Sequence, residues 1–267
     1  MPWRATRDPW AILVSEVMLQ QTQAERVIPK WLSFMERWPT VQACSAASLG
    51  DVLRVWQGLG YPRRARNLHE TATILSSQEG VFPDTLPGLL ALPGVGAYTA
   101  RAILAFAFER DAAVVDTNVA RVLARMSGMR LTSSDVQRLA DELVPSGHGW
   151  VWNQLMLDLG ATVCTARSPG CSRCPVAGGC AWRSGGSLQS DPAVGSAGVS
   201  GPQARFEGSD RQARGRLLRR LAAGPVERSA AQAILAMSDV RRAERIVVGL
   251  LQDRLITARA GQLALPE

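Results

Sequence analysis

Between Pro9 and about Ala161, apolar residues recur every three to four positions and no stretch alternates, which predicts a run of short helices. Breaks are expected at Pro29, Pro39, Gly58 to Pro62, Pro83, Pro87 and Pro93. The helical period returns over 210–222, 228–237 and 240–251, and 255–265 predicts a small hairpin around Gly261. Three helices and a hairpin suggest a winged-helix-like module at 205–267, suited to a DNA or protein contact or to a packing role. Residues 184–204 are rich in Ser, Gly and Ala and poor in apolar residues, so they read as a flexible linker. The predicted fold class is all-α, with no internal repeat.

Composition narrows the class. A hydrophobic content of 46% in 267 residues sustains packed cores. No apolar run approaches the roughly 20 residues of a membrane-spanning helix, and the first ten residues do not read as a signal peptide. A cytoplasmic, nucleoid-associated monomer without a membrane partner is expected. The formal charge is +7, with 17 basic and 15 acidic side chains in residues 1–180 and 13 and 8 in residues 181–267. This balance suits a polyanionic partner, although a GC-rich genome explains the arginine usage equally well. Lys30 is the only lysine, so any chemistry through a lysine amine has one candidate.

Cys164, Cys171, Cys174 and Cys180 form a C-x6-C-x2-C-x5-C array, four thiols within one short loop. This predicts a metal site. Zinc sites usually pair their cysteines as two tight knuckles, whereas one close pair flanked by wider arms suits a [4Fe-4S] cluster, with zinc as the alternative. Such a cluster can carry electrons, bring Arg167 and Arg173 to phosphates, or fold its loop. The structural role is preferred, because ligation stabilises a segment with little core of its own. Cys44, far from the array, reads as a core residue.

Leu92-Pro93-Gly94-Val95-Gly96 lies between two apolar helical stretches. A Gly-x-Gly turn here predicts backbone N–H groups exposed at a helix N-terminus, where they bind a phosphate without side chains. A plain helix–helix turn is the bland alternative.

Together with Ser15-Glu16-Val17-Met18-Leu19-Gln20-Gln21-Thr22, Gly58-Leu59-Gly60-Tyr61 and Val115-Asp116-Thr117-Asn118-Val119, these features resemble the MutY-type adenine DNA glycosylases over about residues 2–183. The hairpin is shared with relatives such as endonuclease III. The resemblance implies a helix-hairpin-helix glycosylase fold. A six-helix barrel domain at 6–116 would pack against a cluster-bearing domain at 1–5 and 117–183, before the linker and the C-terminal module. It implies a [4Fe-4S] cluster on the four cysteines and a target base flipped into the cleft between the domains, since the glycosidic bond is buried in the duplex. The expected partner is double-stranded DNA with an adenine mispair.

The resemblance also implies residue roles. Glu16 protonates the flipped adenine, Asp116 stabilises the sugar cation, and Asn118 and Tyr98 lie beside them. Gln21 and Tyr61 enter the base stack, and Gln20, Gly94, Val95, Gly96 and Arg4 complete the expected DNA-binding set. These roles agree with elementary chemistry. Adenine leaves poorly as an anion, so its ring nitrogen needs a proton, and the apolar neighbours Leu13, Val14, Val17, Met18 and Leu19 favour a protonated Glu16. On spacing alone Glu16 also fits a surface helix. Asp116 is expected to cap the following helix, and a carboxylate held by N–H groups stays ionised, as an oxocarbenium-like centre requires. Relatives that cut the strand use a hairpin lysine where this chain has Tyr98, so no Schiff base is expected. Arg63, Arg64 and Arg66 fit either phosphates or a solvated face, and His69 and His148 read as structural or surface residues.

Three features depart from the family pattern. Met1 immediately precedes Pro2-Trp3-Arg4, where members usually carry another helix, which suggests a misassigned start or a missing piece. The segment after the linker is shorter than the family's 8-oxoguanine-reading domain, so preference for that lesion over guanine stays open. Thr117 stands where glycine is commoner in adenine-specific members and where thymine-mismatch relatives carry threonine. The alternatives are therefore a thymine or uracil mismatch glycosylase of the same fold and a catalytically silent DNA-binding module.

Overall fold

A computed structural model describes residues 1–185, 190–196 and 205–267. They form two compact units, one of Met1–Pro83, Ala91–Gly94 and Gln203–Glu267, the other of Asp84–Leu90 and Val95–Pro202. None of the described helices is long and apolar enough to cross a membrane.

The first unit is built around α1 (Pro9–Leu19), every residue of which from Trp10 to Met18 is buried. Its start follows from local chemistry: the Asp8 carboxylate accepts from the N–H groups of Trp10 (3.0 Å) and Ala11 (3.3 Å), and Pro9 fills the first helical position. Around it stand α2 (Ala24–Arg37), α3 (Val41–Ser45), α4 (Leu49–Val55) and α5 (Arg63–Ser77). Helix α1 packs on α2 and α5, and α5 also packs on α3 and α4. The buried indoles keep their polar ends satisfied, Trp31 Nε1 donating to the Ala11 carbonyl at 2.9 Å and Trp10 Nε1 to that of Trp38 at 3.0 Å. Pro29 does not break the chain as expected but lies inside α2. One lost hydrogen bond is outweighed there by the buried stripe Val27, Trp31 and Phe34.

The second unit contains α6 (Leu86–Leu90), α7 (Ala97–Phe106), α8 (Thr117–Ser127), α9 (Ser133–Leu143), α10 (Gly149–Asp158) and α11 (Ala181–Ser184). Pro87 again starts a helix instead of ending one, since its missing N–H is no loss in the first turn. The core gathers Val119, Val122 and Leu123 of α8 with Val136 and Ala140 of α9 and Met156 of α10. The sequence placed a boundary at residue 116, whereas the observed packing groups α6 and α7 with α8–α11. Helix α7 rests on α10, and its Arg101 donates twice to the Asp141 carboxylate of α9, at 2.6 and 3.0 Å.

Residues 186–189 and 197–204 of the expected linker lie outside the described residues, but its described part is packed. Ala193 is buried, Ser196 Oγ accepts from the Leu131 N–H at 3.0 Å, and Asp191 is ion-paired with Arg125 of α8. The seven residues 190–196 therefore dock on the second unit through specific polar contacts that composition does not reveal.

The C-terminal module comprises α12 (Asp210–Ala222), β1 (Val226–Glu227), α13 (Ala231–Leu235), α14 (Val240–Gln252), β2 (Thr257–Arg259) and β3 (Gln262–Ala264). The antiparallel sheet runs β1-β3-β2, with Gly261 at φ +78° turning the hairpin. This is the element order of a winged helix, with one short strand more than the pattern predicted. The module belongs to the first unit. Arg63 Nε of α5 donates to Asp253 Oδ2 at 2.7 Å, Arg66 Nη1 to the Asp253 carbonyl at 2.8 Å, and the Gly50 N–H to the Pro266 carbonyl at 2.8 Å. Arg63 and Arg66 thus hold the module.

Candidate active site and cluster loop

Glu16 sits near the end of α1, 6% exposed and enclosed by a helix whose neighbouring residues are all buried. This settles the surface-helix alternative against it. Beyond α1 the chain turns through Gln20, half-buried, and Gln21, exposed and left-handed at φ +57°. A second loop brings Tyr61, half-buried, at φ +49°. Arg64, 9% exposed, joins these two loops. Its Nη1 donates to the carbonyls of Val17 (2.7 Å), Met18 (3.0 Å) and Gln20 (2.6 Å), and its Nη2 to those of Leu59 (2.9 Å) and Gly60 (3.0 Å). Burial pushes its pKa down to about 10. The guanidinium also lies 5.5 Å from the Tyr61 ring centre. The phosphate reading of Arg64 is therefore replaced by an internal one. Its place on the buried face of α5, in step with Leu68, Thr71 and Leu75, was the available signal.

Arg4 lies in the 3-10 turn Pro2–Ala5, where the Trp3 ring meets Trp31 edge-on at 6.0 Å. Gly94 is left-handed at φ +75°, and a Cβ there would press on Asn67, so only glycine fits this turn. The Pro93 carbonyl accepts from Thr71 Oγ1 at 3.0 Å. The lone lysine is occupied, Lys30 Nζ donating to the Val55 carbonyl at 3.1 Å. His69 Nε2 and His148 Nδ1 meet the backbone oxygens of Ala47 and Ser146, in line with structural roles.

In the second unit Val95 is buried, Gly96 caps α7, and Tyr98 stands half-buried in the first turn. Asp116 caps α8, its Oδ1 accepting from the N–H groups of Asn118 and Val119 at 2.8 Å each. Its Oδ2 accepts from Asn118 Nδ2 at 2.8 Å, and Asn118 Oδ1 accepts from Arg121 Nη2 at 2.8 Å. Arg121 in turn donates to the Gly160 carbonyl at 2.7 Å and the Cys164 carbonyl at 2.8 Å. A chain of hydrogen bonds thus runs from the Asp116 carboxylate to the first cysteine. It depends on a π-helical turn, Leu159–Val163, in which Gly160 lets the backbone approach Asn118 too closely for any Cβ.

All four cysteines of the array line one cavity, walled by Val122, Leu159, Val163 and Val176. Arg125, 2% exposed, donates to Cys164 Sγ at 3.3 Å, to the Thr165 carbonyl at 2.7 Å and to Asp191 Oδ2 at 2.6 Å. Burial opposes its charge, but the bonds to Asp191 and Cys164 outweigh burial and raise its pKa. Four sulfurs around an apolar-walled cavity, with a cationic donor on one of them, suit an iron-sulfur cluster, whose thiolates are anionic. Among the described residues no three metal-binding side chains are gathered as around a single ion. Neither Arg121 nor Arg125 stood out in the sequence, although their spacing of four on α8 marks one face. Cys44 is fully buried, and burial pushes its thiol up to about 12.

The family model of the HhH-GPD superfamily of base excision DNA repair proteins matches residues 14–146, and the iron-sulfur binding domain of endonuclease III matches residues 164–180. The adenine DNA glycosylase of Mycobacterium tuberculosis (strain H37Rv) is 44% identical over 279 residues, covering 100% of this chain and 88% of that protein. The chain belongs to the adenine DNA glycosylase family. Among solved structures, that of a thermostable thymine-DNA glycosylase matches with a TM-score of 0.64 at 30% identity, covering 69% of this chain and 88% of that one. That of a trapped endonuclease III–DNA covalent intermediate matches with a TM-score of 0.61 at 27% identity, covering 67% and 86%. The helix-hairpin-helix glycosylase fold and the [4Fe-4S] cofactor expected from the sequence of this adenine DNA glycosylase family member are therefore borne out.

Proposed function

We propose that this chain is a monofunctional adenine DNA glycosylase of base excision repair, acting as a monomer on double-stranded DNA in which adenine is mispaired with guanine or 8-oxoguanine. The observation that carries this reading is Glu16, a carboxyl group removed from water within a helix buried on every side. A general acid toward a purine ring nitrogen must meet the base away from bulk water, and a carboxyl buried to this depth is sheltered in that way. Glu16 gives its proton to the flipped adenine. The N-glycosidic bond then breaks with its electron pair going to the base, and positive charge grows on the sugar. Asp116, held by two N–H groups and Asn118, is the anion that stabilises that charge. Water adds to the sugar carbon and gives its proton to the Glu16 carboxylate, leaving an abasic site and restoring the acid.

Tyr98 is assigned beside the reacting sugar, and Arg4 beside the base. Gln20, Gln21 and Tyr61 are assigned to the opened base stack, and Gly94, Val95 and Gly96 to a phosphate through backbone N–H groups. Cys164, Cys171, Cys174 and Cys180 hold the cluster, which when bound stabilises the fold of its own loop. Such an enzyme works where the chromosome lies, in the cytoplasm at the nucleoid.

A second reading, a thymine or uracil mismatch glycosylase, is favoured by Thr117 and by the likeness to the thymine-DNA glycosylase structure. Single-turnover assays on A:8-oxoguanine, A:G, T:G and U:G duplexes separate the two. Base release is expected from the first pair of duplexes only, and Glu16→Gln is expected to slow it by about 10²- to 10⁴-fold. Release confined to T:G or U:G would overturn the adenine assignment. Sodium borohydride is expected to trap no protein–DNA adduct, since the only lysine is held by the Val55 carbonyl and Tyr98 stands at the hairpin position.

A further inference from the structure

The C-terminal module reaches one of the residues assigned to the base stack. Arg211, in the first turn of α12, donates from Nη1 to the Tyr61 hydroxyl at 2.9 Å. The same guanidinium lies 5.8 Å from the Tyr61 ring centre and 5.2 Å from that of Phe206, which is 52% exposed. A cation in the first turn of a helix stands against the helix dipole, so local helix stability does not account for it.

The support beneath Arg211 is fixed. Ser209 caps α12, the Gly208 N–H donates to Gln212 Oε1 at 2.9 Å, and Arg242 of α14 holds Asp210 at 2.7 Å. The module itself is anchored to α5 through Asp253. Tyr61 is thus held from two sides, its ring by Arg64 and its hydroxyl by Arg211, on a backbone in the left-handed region.

We propose that Arg211 is a positioning residue for Tyr61, and that through it the C-terminal module takes part in opening the base stack at the mispair. This rests on the glycosylase reading above. A ring already oriented when DNA arrives loses less freedom on insertion, and the exposed Phe206 face beside Arg211 offers a stacking and cationic surface next to it.

The test places 2-aminopurine beside the base opposite adenine and follows its fluorescence when the full-length, cluster-loaded protein binds. Base unstacking by the unsubstituted protein raises the signal. Arg211→Met is expected to cut the unstacking rate about tenfold, the lower end of what loss of a hydrogen bond to a charged group costs, in a protein that remains folded. Arg211→Lys, which keeps a cation and a donor, is expected to recover at least part of the loss. Tyr61→Phe removes only the acceptor and is expected to lose as much, and adding Arg211→Met to it should change little further. A full unstacking rate in Arg211→Met, or losses that multiply in the double variant, would overturn the proposal. Should Arg211→Met unfold the module, Tyr61→Phe decides alone, an unchanged rate overturning the proposal. If the unsubstituted protein neither unstacks the probe nor releases adenine, the glycosylase reading fails. If it does both and Arg211→Met matches it, only this inference fails.

Discussion

Arg64 makes the strongest case at the scale of single residues. Five backbone carbonyls turn toward one buried guanidinium, those of Val17 and Met18 from the last turn of α1 and those of Gln20, Leu59 and Gly60 from the two loops that carry Gln21 and Tyr61 in left-handed conformations. Non-glycine residues in that region cost about 1–3 kcal/mol each and persist only where surrounding contacts over-determine them. Removing Arg64 leaves buried acceptors unpaired, a larger penalty than the loss of an exposed ion pair. Arg64→Met should therefore destabilise the protein by about 3 kcal/mol or more, seen as a drop of roughly 6–12 °C in thermal midpoint. An unchanged midpoint would mean that the loops hold their shape without it.

Helix α8 connects three features at the scale of elements. Its first turn holds Asp116, its middle sends Arg121 to the backbone of Gly160 and Cys164, and its end buries Arg125 among Cys164, Thr165 and Asp191. The amphipathic period of α8 predicted one apolar face, and Val119, Val122 and Leu123 occupy it. The same helix carries the arginine pair that organises the cysteine loop. Arg125→Met breaks a buried ion pair and takes the donor from the Thr165 and Ala166 carbonyls, a loss of about 3–5 kcal/mol. The expected outcome is faster bleaching of the visible cluster absorbance on exposure to a chelator. Asp191→Asn should act in the same direction but less strongly, because the Asp191 side chain is 21% exposed.

On the scale of the whole molecule, the C-terminal module is docked within the first unit and is not a free appendage. A backbone bond from Gly50 to Pro266 closes that contact, and a Cβ at position 50 would overlap the Pro266 carbonyl. Gly50→Ala touches no residue assigned to DNA. It should nonetheless weaken docking by about 1–3 kcal/mol, raising the rate of limited proteolysis within 205–267 roughly 5- to 150-fold. An unaltered digestion rate would show that Arg63, Arg66 and Asp253 suffice to hold the module.

Much of the fold was legible along the chain because its signals are local. Helix period, the capping by Asp116, the Gly-x-Gly turn of the hairpin and the cysteine spacing each depend on residues within a few positions of one another, so order along the chain is enough to read them. The hairpin of the C-terminal module was visible for the same reason, while β1, two residues long, was not. What only the tertiary structure decided was the partner of each charge. Arg64 turned inward to carbonyls, Arg63 and Arg66 turned to the C-terminal module, Arg125 found Asp191 across 66 residues of sequence, and Arg211 found Tyr61 across 150. An arginine carries the same charge and length wherever it stands, and its meaning is set by which acceptors the folded chain brings within about 3 Å of it.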